Sequence, residues 1–414
     1  MKEIVVVTDI RFWEPTMGSH ARIRMLAHNL ARTYRLRIFY LRPIDTKTRA
    51  AFDALDLPGG AEIVSYMDYT GQRPDYQRRL SKLAYFKTGE VIDFTAALES
   101  YLKERPAHAV IFEYLRIAYI ADACPEGTLR ILDMHDVMSA RTVSLQRAGL
   151  KASISIDAPT EKEILSSFDG VLAISRADMA FIRNRFGLEN GIYVPYSVET
   201  RARPVIGSGR RLVFIGGRSD PNITGLEWFL EQVWPLLGGA FQLDVVGTVC
   251  GAFTDGPDPR SWPGVVFHGP QEDLDAPLRD ADIAINPVYV GGGLKIKCVD
   301  ALAAGLPCVT TPEGAAGLDA AQEAGLTVAR SRSEFAGAIL RLAASPAHRR
   351  AAAVAAPGFV RDEFSPEAAH ADLVAYLGEA GQDDFRPVSR TLPAIAARIR
   401  RAIARDSASV RSKD

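Results

Sequence analysis

The sequence predicts an α/β protein built from two doubly wound parallel sheets in separate domains. Three observations carry this. Short runs rich in Val and Ile alternate with segments of helical period through most of the chain. The alternation stops at a polar stretch rich in Gly, Pro and Arg, ETRARPVIGSGRR, and then restarts. A glycine-rich turn, GGGLKIK, follows an apolar run and precedes a helix, the place where open sheets of this class bind ligands.

The elements follow in order. A chain of 414 residues, 47% of them hydrophobic, can bury at least two cores. In the first half, strand-like runs fall at 4–7, 36–41, 109–112, 130–134, 170–174 and 192–195. Helical patterns fall between them at 19–33, 94–104, 160–168 and 177–186. After the linker, runs at 212–215, 242–246, 265–268, 283–286 and 308–310 alternate with helices near 223–237, 274–280 and 294–304. The expected division is a first domain over 1–198, a linker over 199–211 and a second domain over 212–365. A closing helix at 366–379 and a basic tail at 380–414 complete it.

Composition excludes several function classes. Lys and Arg total 49 against 50 Asp and Glu, so there is no global basic footprint for nucleic acid. The four cysteines show no C-x-x-C and no histidine partner at zinc spacing, which fits a reducing compartment. The opening MKEIVVVTDIRFW is too short an apolar run for an export signal, and no apolar stretch is long enough to span a bilayer. A cytoplasmic location is expected.

The glycine-rich turn is the most informative stretch. Without side chains, Gly291, Gly292 and Gly293 let backbone N–H groups approach an anion. Leu294 is expected to open the next helix, whose N-terminus favours phosphate. Lys297, near its start, adds a point charge, and Asp300 shares its face, placed to accept from two ribose hydroxyls. A tight turn before an ordinary core helix is the competing reading. The spacing is neither a Walker A loop nor G-x-G-x-x-G. Asp-x-Asp triplets at 273–275 and 280–282 look like metal ligands, but they open and close a helix, where acids have structural reasons to sit. No metal and no cofactor are expected.

With GGGLKIKCVDALAAGLPCVTTPEGAAGL, four further segments occur in a telling order. They are FDGVLAISRADMAFIR with YVPYSVE, RLVFIGGRSDPNITGLEWFLEQVWPLL, FQLDVVG, and VVFHGPQEDLDAPLRDADIAINP. Together they resemble the glycosyltransferases called family 4 or group 1, over roughly residues 2–378. The resemblance implies the GT-B fold, two Rossmann-like domains facing across a cleft, and a retaining transferase using a nucleotide-diphosphate sugar. The family's ribose-binding glutamate falls on Asp300, and an earlier glutamate falls on Gly292. Its phosphate-binding arginine resembles Arg218, while a lysine often found six residues later is Thr224 here. Lys297 is positioned to supply that charge, with Lys295 beside it. The turn holding Gln271 resembles the loop that reads the base.

On the acceptor side, relatives place a small glycine loop where Gly18 and Ser19 stand. Ser19 as a plain helix cap is the alternative. Arg22 and Arg24 follow in the helix, one of them facing the cleft. The strand LDMHDVMSAR runs into His135, Asp136 and Arg141, polar residues at a carboxyl end, and many relatives carry a histidine near the sugar there. His20 is a weaker alternative. In retaining enzymes of this kind the leaving diphosphate helps deprotonate the acceptor. Catalysis is thus expected from His135, Arg218 and Lys297. The expected acceptor is a glycan, a lipid-linked glycan or a protein, in bacterial surface-glycan assembly. Rival readings are an inverting GT-B transferase using Glu113 or Asp136 as base, a nucleotide-sugar epimerase, and a non-catalytic sugar-nucleotide-binding subunit.

In the tail, LPAIAARIRRAIARD puts Ile395, Ile399 and Ile403 on one helical stripe among arginines. Arg73, Arg78, Arg79, Lys82 and Lys87 form a second basic cluster. Such surfaces suit the headgroup plane of an anionic membrane, which would place the protein at the inner face of the cytoplasmic membrane. A solvated tail, or a helix packed on its own domain or on a second subunit, is the alternative.

Overall fold

The computed structural model describes residues 1–14, 17–69, 94–152, 155–201, 207–255, 262–271 and 273–379. The basic cluster at 73–87 and the tail 380–414 lie outside them.

Seven parallel strands form the first sheet: β1 (Glu3–Thr8), β2 (Arg35–Tyr40), β3 (Ala61–Ser65), β4 (Ala109–Glu113), β5 (Leu129–Asp133), β6 (Gly170–Ala173) and β7 (Gly191–Tyr193), in the order 3-2-1-4-5-6-7. Six form the second: β8 (Arg211–Ile215), β9 (Gln242–Val246), β10 (Val265–Gly269), β11 (Ile283–Asn286), β12 (Cys308–Thr310) and β13 (Leu326–Val328), in the order 10-9-8-11-12-13. Both are doubly wound, as expected. The edge strands β3 and β13 were not foreseen: β3 opens on exposed or half-exposed Ala61 and Glu62, and β13 is only Leu-Thr-Val.

Parallel sheets are covered on both faces, so their strands read as continuous apolar runs. Alternation sorts the side chains: Val5, Val7, Val110 and Phe112 enter one core, and Ile4, Val6, Ala109 and Ile111 the other. The second sheet divides likewise, with Val213 and Ala284 on one face and Leu212, Phe214, Ile283 and Ile285 on the other.

The order reverses between β1 and β4 in one sheet and between β8 and β11 in the other. The crevices beyond the carboxyl ends of those strands are the natural ligand positions. The chain then returns. The helix Pro346–Phe364 buries Val360 and Phe364 in the second domain, and the helix Pro366–Glu379 buries Leu373 and Leu377 in the first. Lys2 Nζ donates to the Leu377 carbonyl at 3.0 Å, tying the closing helix to the first strand. Among the described residues no helix is long and apolar enough to cross a membrane.

Candidate functional site

The glycine turn lies after β11, at the second domain's crevice, and faces the first domain directly. Gly293 has φ +64, a conformation that disfavours any side chain, and a Cβ there would collide with Asp136 Oδ1. A Cβ at Gly292 would come within 3.2 Å of Arg141 Cβ. Gly291 N–H donates to Ser144 Oγ at 3.1 Å. Asp136 and Arg141 are 3.4 Å apart as an ion pair, so they form the wall against which the glycines pack. Burial raises the Asp136 carboxyl, against Arg141.

The helix after the turn begins at Ile296, two residues later than expected; Leu294 and Lys295 belong to the turn. Lys295 is committed to the protein. Its Nζ donates to the carbonyls of Gly292 (2.9 Å) and Gly293 (3.1 Å) and meets Glu313 Oε1 at 3.0 Å. It holds the loop's shape rather than presenting a free charge. Arg218 is likewise paired, 3.0 Å from Asp255 Oδ2, while its backbone N–H donates to Thr248 Oγ1. Lys297 differs. Its Nζ lies 2.5 Å from Asn222 Oδ1 and 4.4 Å from the centre of the Phe214 ring, so both neighbours are uncharged. Burial pulls its ammonium down to about 7. Of the three cations expected at the diphosphate, only Lys297 has no carboxylate partner among the described residues. Asp300 accepts from Tyr196 OH at 3.1 Å, and burial raises its carboxyl to about 6 against the pull of Arg201. Gln271 sits at the exposed turn after β10, bonded to the His268 carbonyl at 3.1 Å.

The opposite wall comes from the first domain. Gly18 starts the helix Gly18–Thr33, and a Cβ on it would meet Ile296 Cδ1 at 3.1 Å. The N-terminal ends of two helices therefore converge, one from each domain, where partial positive charge favours an anion. The cap of the first helix is Met17, with no side-chain hydrogen bond, so Ser19 is not the cap.

Arg22 corrects an expectation. It was expected at the acceptor, but it is 3% exposed. Its Nε and Nη2 each reach Asp133 at 2.8 Å, and Nη1 donates to the Val194 carbonyl at 2.7 Å. Three of its five N–H groups are thus committed to acceptors inside the first domain. Sequence position placed it on the right helix but could not say which side of that helix faces the sheet.

His135 stands at the carboxyl end of β5 with φ +61, and Tyr114 at the end of β4 with φ +76. Two non-glycine residues in left-handed backbone, side by side, mark concentrated strain of the kind functional sites hold. Their rings stack at 3.8 Å and 6°. Arg116 lies over Tyr114 at 4.4 Å and pairs with Asp9. His135 Nε2 is 2.7 Å from Glu113 Oε2 and 3.8 Å from Asp133 Oδ2. Among the described residues, Glu113, Asp133 and His135 are the group with metal-ligand character. Arg22 already occupies both Asp133 oxygens, so a cation there would face a guanidinium. Tyr114, Tyr196, Asn222 and Phe214 were not singled out from sequence. The first two stand in apolar runs whose other residues are core, which hides them.

With this geometry in place, comparison with known proteins is decisive for the second domain. Residues 209–345 match the family model for glycosyl transferases group 1. Over those residues the chain is similar to that family. They include the glycine turn, Lys297 and Asp300. The whole chain has the GT-B fold. Sucrose-phosphate synthase of Thermosynechococcus elongatus is similar at TM-score 0.67 and 15% identity, over 92% of this chain and 99% of that one. HepE of Anabaena, with UDP-glucose bound, is similar at TM-score 0.65 and 12% identity, over 92% and 100%. WaaG, a glycosyltransferase involved in lipopolysaccharide biosynthesis, is similar at TM-score 0.57 and 16% identity, over 89% and 99%. No curated protein matches the sequence. The stretch that matches that family thus stands opposite a second Rossmann-like domain.

Proposed function

We propose that the protein is a retaining glycosyltransferase. It moves a sugar from a nucleotide-diphosphate sugar to a glycan, lipid-linked or protein acceptor. One observation carries the donor reading: Lys297, a cation without a carboxylate partner, stands at a helix N-terminus beside three glycines. As the glycosidic bond breaks, charge grows on the diphosphate. A fixed ammonium, two helix N-termini and the backbone N–H groups of Gly18, Gly292 and Gly293 stabilise it without reorganising. Asp300 takes the ribose hydroxyls, Gln271 borders the base, and Arg218 exchanges Asp255 for phosphate. HepE, which has the same fold, is in complex with UDP-glucose, which supports a nucleotide-diphosphate sugar as the donor class.

The carboxylates favour retention over inversion. Glu113 is fully buried under His135, and Asp136 is held by Arg141 against Gly293, so neither is free to approach an acceptor hydroxyl as a base. The leaving phosphate then accepts that proton. A role in bacterial surface-glycan assembly, at the inner face of the membrane, is supported by the involvement of WaaG in lipopolysaccharide biosynthesis and by the basic sequence of the tail.

A thermal-shift panel of nucleotide-diphosphate sugars tests the donor reading. Ligand at a hundred times its Kd stabilises by about 2.7 kcal/mol, so one donor is expected to raise Tm by several degrees. A flat panel sinks it, and an inverted anomeric configuration in the product sinks retention alone. Asp300→Asn is expected to weaken the ribonucleotide donor about tenfold and a 2′,3′-dideoxy analogue hardly at all. Equal losses for both would remove the ribose role.

A further inference from the structure

We propose that Glu113 keeps its proton and donates it to His135 Nε2, fixing the imidazole as the Nδ1–H tautomer, so that His135 serves as a hydrogen-bond donor and not as a base. The functional part of this rests on the transferase reading above; the tautomer itself does not.

The argument starts from strand register. Glu113 and Asp133 are direct partners across β4 and β5, at the ends of both strands, so two carboxylates flank one imidazole. They are not equivalent. Asp133 has both oxygens on Arg22. Burial works against its charge, yet Arg22 and His135 hold the carboxyl below its ordinary value. Glu113 has no such cation. Oε2 meets His135 Nε2 at 2.7 Å, and Oε1 is buried without a hydrogen-bond partner. An ionised carboxylate with one unpaired oxygen in a fully buried site is costly, and the negative Asp133 beside it adds to that cost. Arg22 and Arg116 are the opposing cations, but Arg22 is bonded to Asp133, and Asp9 and the Tyr114 face occupy Arg116. Burial accordingly raises the Glu113 carboxyl well above the carboxylate range and lowers the imidazole to about 3.

One proton therefore lies between Oε2 and Nε2, and it belongs to Glu113. A neutral imidazole that accepts at Nε2 carries its own hydrogen at Nδ1. With Nε2 turned inward, Nδ1–H is the group left for the cleft, where it can donate to an oxygen of the bound sugar or of the leaving phosphate. The Tyr114 stack and the left-handed backbone fix the ring plane. Glu113 is thus a positioning residue that acts through His135. The opposite arrangement, an ionised Glu113 accepting from Nε2–H, would make Nδ1 a base.

Glu113→Gln separates the two, because its amide N–H can donate to Nε2 as a protonated glutamate does, while it lacks the negative charge that would hold a hydrogen on Nε2. The proposal expects kcat/KM for nucleotide release from the donor to fall less than about tenfold, with an unchanged pH profile, whereas a base enforced by ionised Glu113 would lose about a thousandfold or more from the wrong tautomer. Glu113→Leu, with no group to donate, is expected to lose far more than Glu113→Gln; equal losses would reduce Glu113 to a packing role and overturn the proposal. The second readout needs no donor. In full-length protein labelled with 15N-histidine, with His135 assigned by the signal missing in His135→Asn, Nδ1 is expected to carry the hydrogen in wild type and in Glu113→Gln from about pH 6 to 8. A hydrogen on Nε2 in wild type, or an imidazolium in that range, overturns the proposal. This holds even if the donor panel is flat.

Discussion

Arg22→Ala is expected to destabilise the first domain by about 3–5 kcal/mol, because it leaves a buried carboxylate with no counter-charge. Asp133 is 0% exposed and spends both oxygens on this one guanidinium. The guanidinium also caps the Val194 carbonyl, just past the last strand of the sheet. Removing it strands three acceptors at once. Equilibrium unfolding in urea measures the effect, and a loss below about 1 kcal/mol would mean the pair is weakly coupled to folding. Replacing both partners, as in Arg22→Met with Asp133→Leu, is expected to recover much of the loss, since apolar groups need no counter-ion. The pH dependence has a definite sign. The folded-state carboxyl of Asp133 lies below its ordinary value, so the pair's contribution is present at neutral pH and is lost as pH falls through the folded-state value. Arg22→Ala should flatten that acid limb.

The same pair shows where sequence reading stops. Strands β1, β4, β5, β8 and β11 are buried runs of four to six residues, and their apolar content announces them. Two of the four edge strands, β3 and β13, went unread because they carry little apolar surface, whereas β7 and β10 read as apolar runs. The helices Arg332–Ala344 and Pro346–Phe364 went unread because alanine fills both faces and blurs the apolar stripe. At the site, glycine, lysine and aspartate stand in one continuous stretch, so their order was legible. The first-domain wall is assembled from four places in the chain, and its logic is register. That Glu113 lies beside Asp133 follows from which strands pair, and no local pattern encodes it. Nor does any glycine flag the left-handed backbone at Tyr114 and His135.

Lys297→Met is expected to weaken donor binding by about ten- to a hundredfold, the 1.5–3 kcal/mol of a charge-assisted contact to phosphate. The reason is the contrast among the three cations. Lys295 and Arg218 already have carboxylates 3.0 Å away, and the donor must compete with them. Lys297 has an amide oxygen and an aromatic face, which leave its charge for the ligand. Burial holds the free protein's ammonium at about 7, so above that pH the donor must recruit a proton in order to bind. Wild-type affinity is therefore expected to be level below about pH 7 and to fall by up to about tenfold per unit above it. The variant should lose that slope, and titration calorimetry in two buffers of different ionisation enthalpy should show proton uptake in wild type alone. The stability of the free protein should move the other way. A lysine whose folded-state value is depressed disfavours folding wherever it is charged, so that cost is complete below about pH 7 and fades as pH rises toward the unfolded value. At pH 6 the methionine variant is thus expected to unfold no earlier than wild type while binding donor worse. A variant that is less stable and binds equally well would make Lys297 a structural residue and leave the diphosphate without its free cation.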